Sequence, residues 1–175
     1  LTLVRSAYHR SRDLVSGYGE IFGSENGPGI IDGLDGLLTS IGTTSHLHDP
    51  WYHLPGRSGE HHARLEAISL GNIAGSFLPK PGIGDADRQL IDHVNRRWTG
   101  IRLEHLNGCA TRALKERNVG VVVVALGTEK ASVLMECIQR GLVSRLIIDQ
   151  ELAAALSQRM PRKVGEDDEA EAPRT

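Results

Sequence analysis

The fold is decided by one stretch, residues 121–156, which reads VVVVALGTEKASVLMECIQRGLVSRLIIDQELAAAL. It opens with four consecutive valines, a composition typical of a strand in a parallel sheet that is covered on both faces. A helix-like segment then ends at Gly141, a second apolar run ends at Asp149, and a second helix-like segment follows. Strand, helix, strand and helix with short connections predict parallel strands joined by a crossover. The predicted class is α/β, with a three-layer architecture around an open, mostly parallel sheet.

Composition and charge agree with a folded domain and argue against several classes of protein. The chain has 175 residues, of which 39% are hydrophobic, and a formal net charge of -2. A nucleic-acid-binding domain normally carries a basic face, which this balance does not favour. No apolar run approaches the ~20 residues of a membrane span. We therefore expect a cytoplasmic protein without a membrane partner, with one domain over residues 1–160 and a disordered charged tail over 161–175.

The segments before residue 121 carry weaker signals of strands and loops. Residues 36–44 form a short apolar run that predicts a strand, and residues 71–79 alternate apolar and small side chains as a second strand would. Residues 79–89 are rich in glycine and proline and predict a loop. The alternation in residues 94–101 includes two arginines and predicts an edge strand.

Helices are predicted at three places in the same part of the chain. The first is near residues 11–18, and the second begins after Ser58 with Glu60 in its first turn. The third begins at Leu103. Helical spacing places five apolar side chains on one face of this third helix: Leu103, Leu106, Ala110, Ala113 and Leu114.

The junction between the valine strand and the next helix predicts a site for a small anion. Ligands of open parallel sheets lie beyond the carboxyl ends of the strands, where helix N-termini offer free N–H groups. Gly127 allows close approach to the backbone, Thr128 can cap the helix or donate a hydrogen bond, and Lys130 adds a mobile charge. The same residues also fit a turn, a cap and a solvated lysine. Neither GxxxxGK[ST] nor GxGxxG occurs, so no nucleotide cofactor is expected.

Residues 121–156 resemble the end of the sugar-binding effector domain of SorC/DeoR-type bacterial transcriptional regulators. In that family a strand ending in Gly-Gly-x-x-Lys-Ala precedes a helix, a second strand and an aspartate that opens the last helix. This pattern is matched by Gly127, Lys130, Ala131, Gly141 and Asp149. Residues 37–42, 70–78 and 95–106 resemble three earlier segments of the family in the same order.

The resemblance implies a phosphosugar isomerase-like fold, related to ribose-5-phosphate isomerase, and a role in binding without catalysis. The implied ligand is a phosphorylated sugar or polyol. The resemblance further implies that DNA is bound by an N-terminal helix-turn-helix domain outside this sequence. It also implies that residues 1–160 lack the first half of the effector domain and that the protein forms a homodimer or homotetramer.

The resemblance also assigns ligand contacts. Lys130 and Asn72 correspond to typical effector contacts of the family, and Asn72 stands where the family has an acidic residue. Gly42 and Thr43 are then expected to line the sugar side of the site. Gly127 and Thr128 are expected to line the phosphate side. The glycine that precedes this last pair in the family is Leu126 here.

A cluster of histidines offers a rival hypothesis. Five of them fall within residues 46–62, and His46, His48 and Asp49 are the first candidates for a metal site. A polar surface loop explains the same residues, and we expect no metal. The alternatives to an effector domain are therefore a metal-dependent or sugar-phosphate isomerase-like enzyme on the same fold, or an interaction-only subunit whose pocket has decayed.

Overall fold

The structure, a computed structural model, describes residues 19–21, 27–44, 59–96 and 100–160. In the helix that begins at residue 59, the side chains are described from residue 63 onward. The described residues form one five-stranded sheet of order β3-β2-β1-β4-β5. Its strands are β1 (Gly36–Thr43), β2 (Ser69–Ile73), β3 (Ser76–Pro79), β4 (Gly120–Ala125) and β5 (Arg145–Ile148). The helices are α1 (Gly59–Ile68), α2 (Asp85–Arg96), α3 (Leu103–Glu116), α4 (Ala131–Gln139) and α5 (Gln150–Ser157).

The sheet is mixed and mostly parallel. β4 pairs in parallel with β1 on one side and with β5 on the other. β2 runs antiparallel to both β1 and β3, so four of the five strands point the same way. The predicted α/β class and the parallel pairing of the two C-terminal strands are confirmed.

Two local interactions determine where α4 ends and where α5 begins. Gly141 adopts φ +65° after α4, and the N–H of Leu142 donates to the Cys137 carbonyl at 3.0 Å, which ends the helix. Asp149 precedes α5, and its Oδ1 accepts a hydrogen bond from the Leu152 N–H at 2.8 Å. Both ends agree with the sequence pattern because each is determined by residues close in the chain.

The main hydrophobic core lies on one face of the sheet. Val121, Val123 and Ala125 of β4 are buried there against α3, α4 and α5. On the opposite face a smaller core surrounds Phe77 of β3 and is closed by α1 and α2. Three layers are therefore present at the β2–β3 end of the sheet.

The second face of β1, β4 and β5 is open among the described residues. Val122 and Val124 are half-buried there, whereas the side chains of Leu38 and Ile147 are 72% and 57% exposed. The run of valines predicts burial on both faces, and the described part of the chain buries one.

The prediction of a single strand over residues 71–79 is wrong. The segment is a hairpin of β2 and β3 whose turn is Ala74–Gly75, with φ values of +52° and +85°. The predicted close backbone approach is present at Gly71, where a methyl group would lie 2.6 Å from Val133 Cγ2. The small residues thus mark a turn and a packing site within one short segment.

The predicted loop over residues 79–89 and edge strand over 94–101 are wrong in large part. Residues from Asp85 to Arg96 form α2, and the described remainder of 94–101, residues 100 and 101, is not in a strand. Asn95 accepts from the Phe77 N–H at 2.8 Å and donates to the Phe77 carbonyl at 2.9 Å. These bonds to β3 hold α2 in place, and a local pattern does not reveal them.

The third predicted helix is confirmed as α3, with one exception on its apolar face. Leu106 and Ala110 are buried, but Leu114 is 86% exposed. His105 and Cys109 are buried as well, so the side of α3 that packs in the core includes these two residues and not Leu114.

Several predictions fall outside the described residues. They concern the helix near residues 11–18, the histidine-rich segment as far as residue 58, and the tail from residue 161. The longest helix described, α3, has 14 residues, and no helix in the described ranges is long and apolar enough to cross a membrane.

Candidate functional site

The predicted ligand residues come together at one edge of the sheet. β1 and β4 are parallel neighbours, so their carboxyl ends lie side by side, and β1 contacts the 3₁₀ turn Thr128–Lys130 that follows β4. β2 runs back along β1 and pairs Asn72 with Gly42 and Gly71 with Thr43. This edge, where β1 and β4 end, is called the ligand edge below.

The residues of the ligand edge are divided between the two faces of the sheet. Thr43 is buried on the face that carries α4, together with Gly71. Gly42 and Asn72 share a register position on the opposite face, where Asn72 is 8% exposed. A ligand that contacts all of them therefore has to lie across the end of the sheet.

Gly127 turns the chain from β4 into α4, and its backbone requires glycine. Its φ of +91° and ψ of 139° lie in a region that side chains with a Cβ rarely adopt. Its N–H donates to Asp149 Oδ2 at 2.8 Å, so this donor is already engaged within the protein. Gly127 therefore offers a ligand no free amide hydrogen bond, and the Glu129 side chain lies over its Cα.

The prediction that Thr128 caps the helix by its side chain is wrong. Neither end of the turn has a side-chain cap, and the Lys130 N–H donates to the Gly127 carbonyl at 3.3 Å. Thr128 is exposed, so its hydroxyl faces solvent at the ligand edge.

The turn carries two opposite charges. Lys130 is half-buried, and its ammonium forms no hydrogen bond or ion pair with any of the residues that the structure describes. Glu129 folds back over Gly127, where a methyl group would lie 2.5 Å from Glu129 Oε1. The ligand edge thus offers a cation for an anionic group and a carboxylate that can accept hydrogen bonds from hydroxyls.

Asp149 is the residue of this region whose role the sequence pattern reveals only in part. One carboxylate oxygen caps α5 and the other holds the Gly127 N–H, both at 2.8 Å. A single side chain therefore ties the end of β5 to the end of β4. Its position at the start of α5 was predictable, but the bond across 22 residues was not.

The described residues give no support to metal or thiol chemistry. No group of three or more His, Cys, Asp or Glu side chains within them is placed to hold a metal ion. His46, His48 and Asp49 lie outside the described ranges, so the metal hypothesis stays a prediction. Both cysteines are buried, and burial raises the pKa of the Cys137 thiol to about 12, far above that of a thiol nucleophile at neutral pH.

A buried histidine that sequence reasoning did not select lies at the start of α3. His105 Nδ1 accepts a hydrogen bond from the Arg102 N–H at 3.1 Å, and its Nε2 lies 3.8 Å from Asp32 Oδ1. Burial is the main cause that lowers the pKa of His105 below 6.5, and the Arg102 guanidinium lowers it further. The neutral imidazole is therefore the form that the fold favours.

Stability is expected to fall as the pH drops from about 7 to about 5. The unfolded chain takes up a proton on His105 near its ordinary pKa of about 6.5, whereas the folded chain resists it, so unfolding is favoured at lower pH. The contribution of one proton is at most about 1.4 kcal/mol per pH unit. Urea unfolding of the wild type and His105→Gln should show a shallower slope in the variant, because glutamine keeps an acceptor but cannot titrate. His93 is exposed, so His93→Gln is the control. Equal slopes for all three proteins would contradict the role of His105 in the pH dependence of stability.

Comparisons with known proteins agree on the fold. The sequence matches no family model and no curated protein. Among solved structures, a domain of a possible sugar-binding transcriptional regulator from Arthrobacter aurescens TC1 is 18% identical, with a TM-score of 0.56, over 87% of this chain and 49% of that one. The sorbitol operon regulator SorC from Klebsiella pneumoniae is 20% identical, with a TM-score of 0.55, over 87% of this chain and 42% of its own.

A third similar structure, a DeoR family transcriptional regulator from Listeria monocytogenes, is 18% identical, with a TM-score of 0.51, over 71% of this chain and 45% of that one. The chain thus spans about half the length of the solved structures it matches. The sheet order, the parallel C-terminal strands and these similarities agree with the resemblance found in residues 121–156. The chain has the α/β fold of the sugar-binding domains of SorC/DeoR-type transcriptional regulators.

Proposed function

We propose that the chain is the effector-binding part of a cytoplasmic transcriptional regulator and binds a phosphorylated sugar or polyol at the ligand edge. The observation that carries this proposal is the convergence of two strand ends on Lys130, a cation without a partner among the described residues. Lys130 contacts the phosphate, and Thr128 and Gly127 line the same side. Gly42, Thr43 and Asn72 line the sugar side.

Binding in this proposal is not followed by chemistry. The similar structures are named as regulators or their sugar-binding domains, which supports a role in sensing. Asn72 carries no charge and cannot serve as the carboxylate base that an isomerase would need at this position. The bound ligand instead biases a helix-turn-helix domain of a longer protein, which assembles as a homodimer or homotetramer.

Lys130→Gln is expected to weaken binding of the phosphorylated ligand by about 10- to 100-fold, because a hydrogen bond to a charged group contributes about 1.5–3 kcal/mol. Thermal shift is measured with ribose 5-phosphate, fructose 6-phosphate, sorbitol 6-phosphate and glycerol 3-phosphate, and with the free sugars and polyols. A ligand that binds the folded state raises Tm by mass action, and the shift should be lost in the variant.

Lys115→Gln is the matched control, because Lys115 is an exposed lysine in the last turn of α3. It should keep the full thermal shift. A shift that survives in Lys130→Gln would remove Lys130 from the site. A shift with divalent metal alone, or turnover of a sugar phosphate, would favour the enzyme alternative, and no response to any compound would favour the interaction-only subunit.

A further inference from the structure

The Glu129 carboxylate lies over the backbone that a ligand at the ligand edge would approach. Gly127 has no side chain, and its φ of +91° turns the chain from β4 toward α4. A methyl group on its Cα would lie 2.5 Å from Glu129 Oε1, so the carboxylate fills the space that a side chain of residue 127 would take. A group that contacts the Gly127 backbone from this side therefore has to displace Glu129.

No specific bond holds the carboxylate in this position. Glu129 is exposed, and its oxygens form no hydrogen bond or ion pair with residues of the described ranges. The N–H of Gly127 donates to Asp149 Oδ2 and is not available to Glu129. An exposed charge without such bonds is held only by a screened field, so its departure costs little.

The charges around Gly127 favour an anion at this position. Lys130 is half-buried, and its ammonium has no partner in the part of the chain that the structure describes. The positive end of the α4 dipole lies at the same turn, since α4 begins at Ala131. The Glu129 carboxylate is the negative group of the chain that lies over Gly127 in this field. It thus lies where the anionic group of a ligand would be bound.

We propose that Glu129 is an internal competitor for the anionic group of the ligand and so determines which anions bind. This inference rests on the proposed function, in which that group contacts Lys130. A phosphate that enters the ligand edge meets a carboxylate of the same sign, and the two groups repel each other at close distance. Binding therefore includes a rotation of the Glu129 side chain away from Gly127 into solvent.

The competitor weakens the binding of every anion by a similar factor, and this selects ligands by their other contacts. Inorganic phosphate gains the contact with Lys130 and little else. A phosphorylated sugar or polyol gains further contacts on the sugar side of the ligand edge, which Gly42, Thr43 and Asn72 line. Such a ligand displaces the carboxylate at a concentration at which inorganic phosphate does not.

The rival role for the same side chain is that of a hydroxyl acceptor. A carboxylate at the ligand edge can accept hydrogen bonds from a sugar. In that role Glu129 strengthens binding, and loss of its charge weakens the binding of phosphorylated and free sugars alike. A competitor gives the opposite sign and acts on anions alone. One substitution therefore separates the two roles.

Glu129→Gln keeps the size of the side chain and removes its charge. Dissociation constants are measured by isothermal titration calorimetry at constant ionic strength. The ligands are inorganic phosphate, ribose 5-phosphate, fructose 6-phosphate, sorbitol 6-phosphate and glycerol 3-phosphate, with the free sugars and polyols. Binding of the phosphorylated compounds and of inorganic phosphate is expected to tighten about five-fold, since the interaction of two unit charges about 4 Å apart in water corresponds to about that factor. Glu129→Ala also removes the bulk over Gly127 and should tighten binding at least as much, and neither variant should change the binding of the free sugars.

Glu151→Gln is the matched control. Glu151 is an exposed carboxylate in the first turn of α5, and α5 contacts the turn Thr128–Lys130. The substitution removes the same charge near the same turn, whereas the atoms nearest to a methyl group on Gly127 all belong to Glu129. It should change the dissociation constants by less than about two-fold. Equal gains in Glu151→Gln and Glu129→Gln would show a general effect of net charge and would overturn the proposal.

Two other results would overturn the inference and leave the proposed function standing. Equal dissociation constants for the wild type and Glu129→Gln would show that the carboxylate does not compete, and weaker binding by the variant would show that it accepts hydroxyls. A third result would overturn the inference together with the proposed function. It is the absence of binding of inorganic phosphate and of all four phosphorylated compounds by the wild type, Glu129→Gln and Glu129→Ala.

Discussion

Gly71→Ala is expected to lower the free energy of unfolding by about 3 kcal/mol, the upper end of the usual cost of overpacking a core. A methyl group at this position would overlap the carbonyl oxygen of Gly42 and lie 2.6 Å from Val133 Cγ2. The Gly42 oxygen is a backbone atom of β1, which pairs with β2 at Gly42 and with β4 at residues 36–40, so it cannot move aside as a side chain can. Urea unfolding monitored by circular dichroism measures the loss directly.

Gly33→Ala is the control for this prediction, because a methyl group there meets nothing within 4 Å. It should change the free energy of unfolding by no more than about 0.5 kcal/mol. Val133→Ala in the Gly71→Ala background removes the Val133 γ-methyl contacts and should recover part of the loss, giving a coupling between the two substitutions. A Gly71→Ala protein as stable as Gly33→Ala would mean that α4 and β2 pack less closely than the structure shows.

The C-terminal half could be predicted from the sequence because its determinants are local. Four valines, a glycine at the end of α4 and a capping aspartate before α5 each act over a few residues. Helix and strand alternate without long connections, so the parallel order followed from general rules of topology. In residues 120–157 the local propensities, the helix ends and the packing all favour the same fold.

The middle of the chain was harder to predict because its determinants are distant. α2 has Leu90, Ile91 and Val94 at helical spacing, but its early residues are charged and follow a glycine- and proline-rich turn. What holds α2 is Phe77 of β3, through packing and through the paired hydrogen bonds of Asn95. The hairpin between β2 and β3 similarly depends on the pairing of Ile73 with Ser76, which the alternation of residues 71–79 does not reveal.

The candidate site also has features that the sequence predicts and features that depend on contacts between distant residues. The residues proposed from the strand-end pattern and from the resemblance lie at one edge, since parallel strands bring their carboxyl ends together. The use of the Gly127 N–H by Asp149 and the position of Glu129 over Gly127 depend on tertiary geometry. The strand-end pattern therefore predicts that these residues share one edge of the sheet, but not the hydrogen bonds within that edge.

Asp149→Ala is expected to lower the free energy of unfolding by about 2–4 kcal/mol. The substitution removes the cap of α5, which contributes about 1 kcal/mol, and leaves the Gly127 N–H without its acceptor, which costs about 1–3 kcal/mol. Both bonds are 2.8 Å long and both go to one carboxylate, so one substitution breaks two links between β4, β5 and α5. Urea unfolding of the purified variant measures the total.

Two further variants separate the two contributions. Asp149→Asn keeps one oxygen acceptor and places an amide NH₂ against the other N–H donor, so its cost should lie between those of the wild type and alanine. Glu151→Gln removes a carboxylate from the first turn of the same helix, where it caps nothing, and should cost no more than about 0.5 kcal/mol. If Asp149→Ala cost only about 1 kcal/mol, the helix cap would account for the whole effect. The bond from the Gly127 N–H would then contribute nothing to stability, and the turn at the ligand edge would be held by its own backbone.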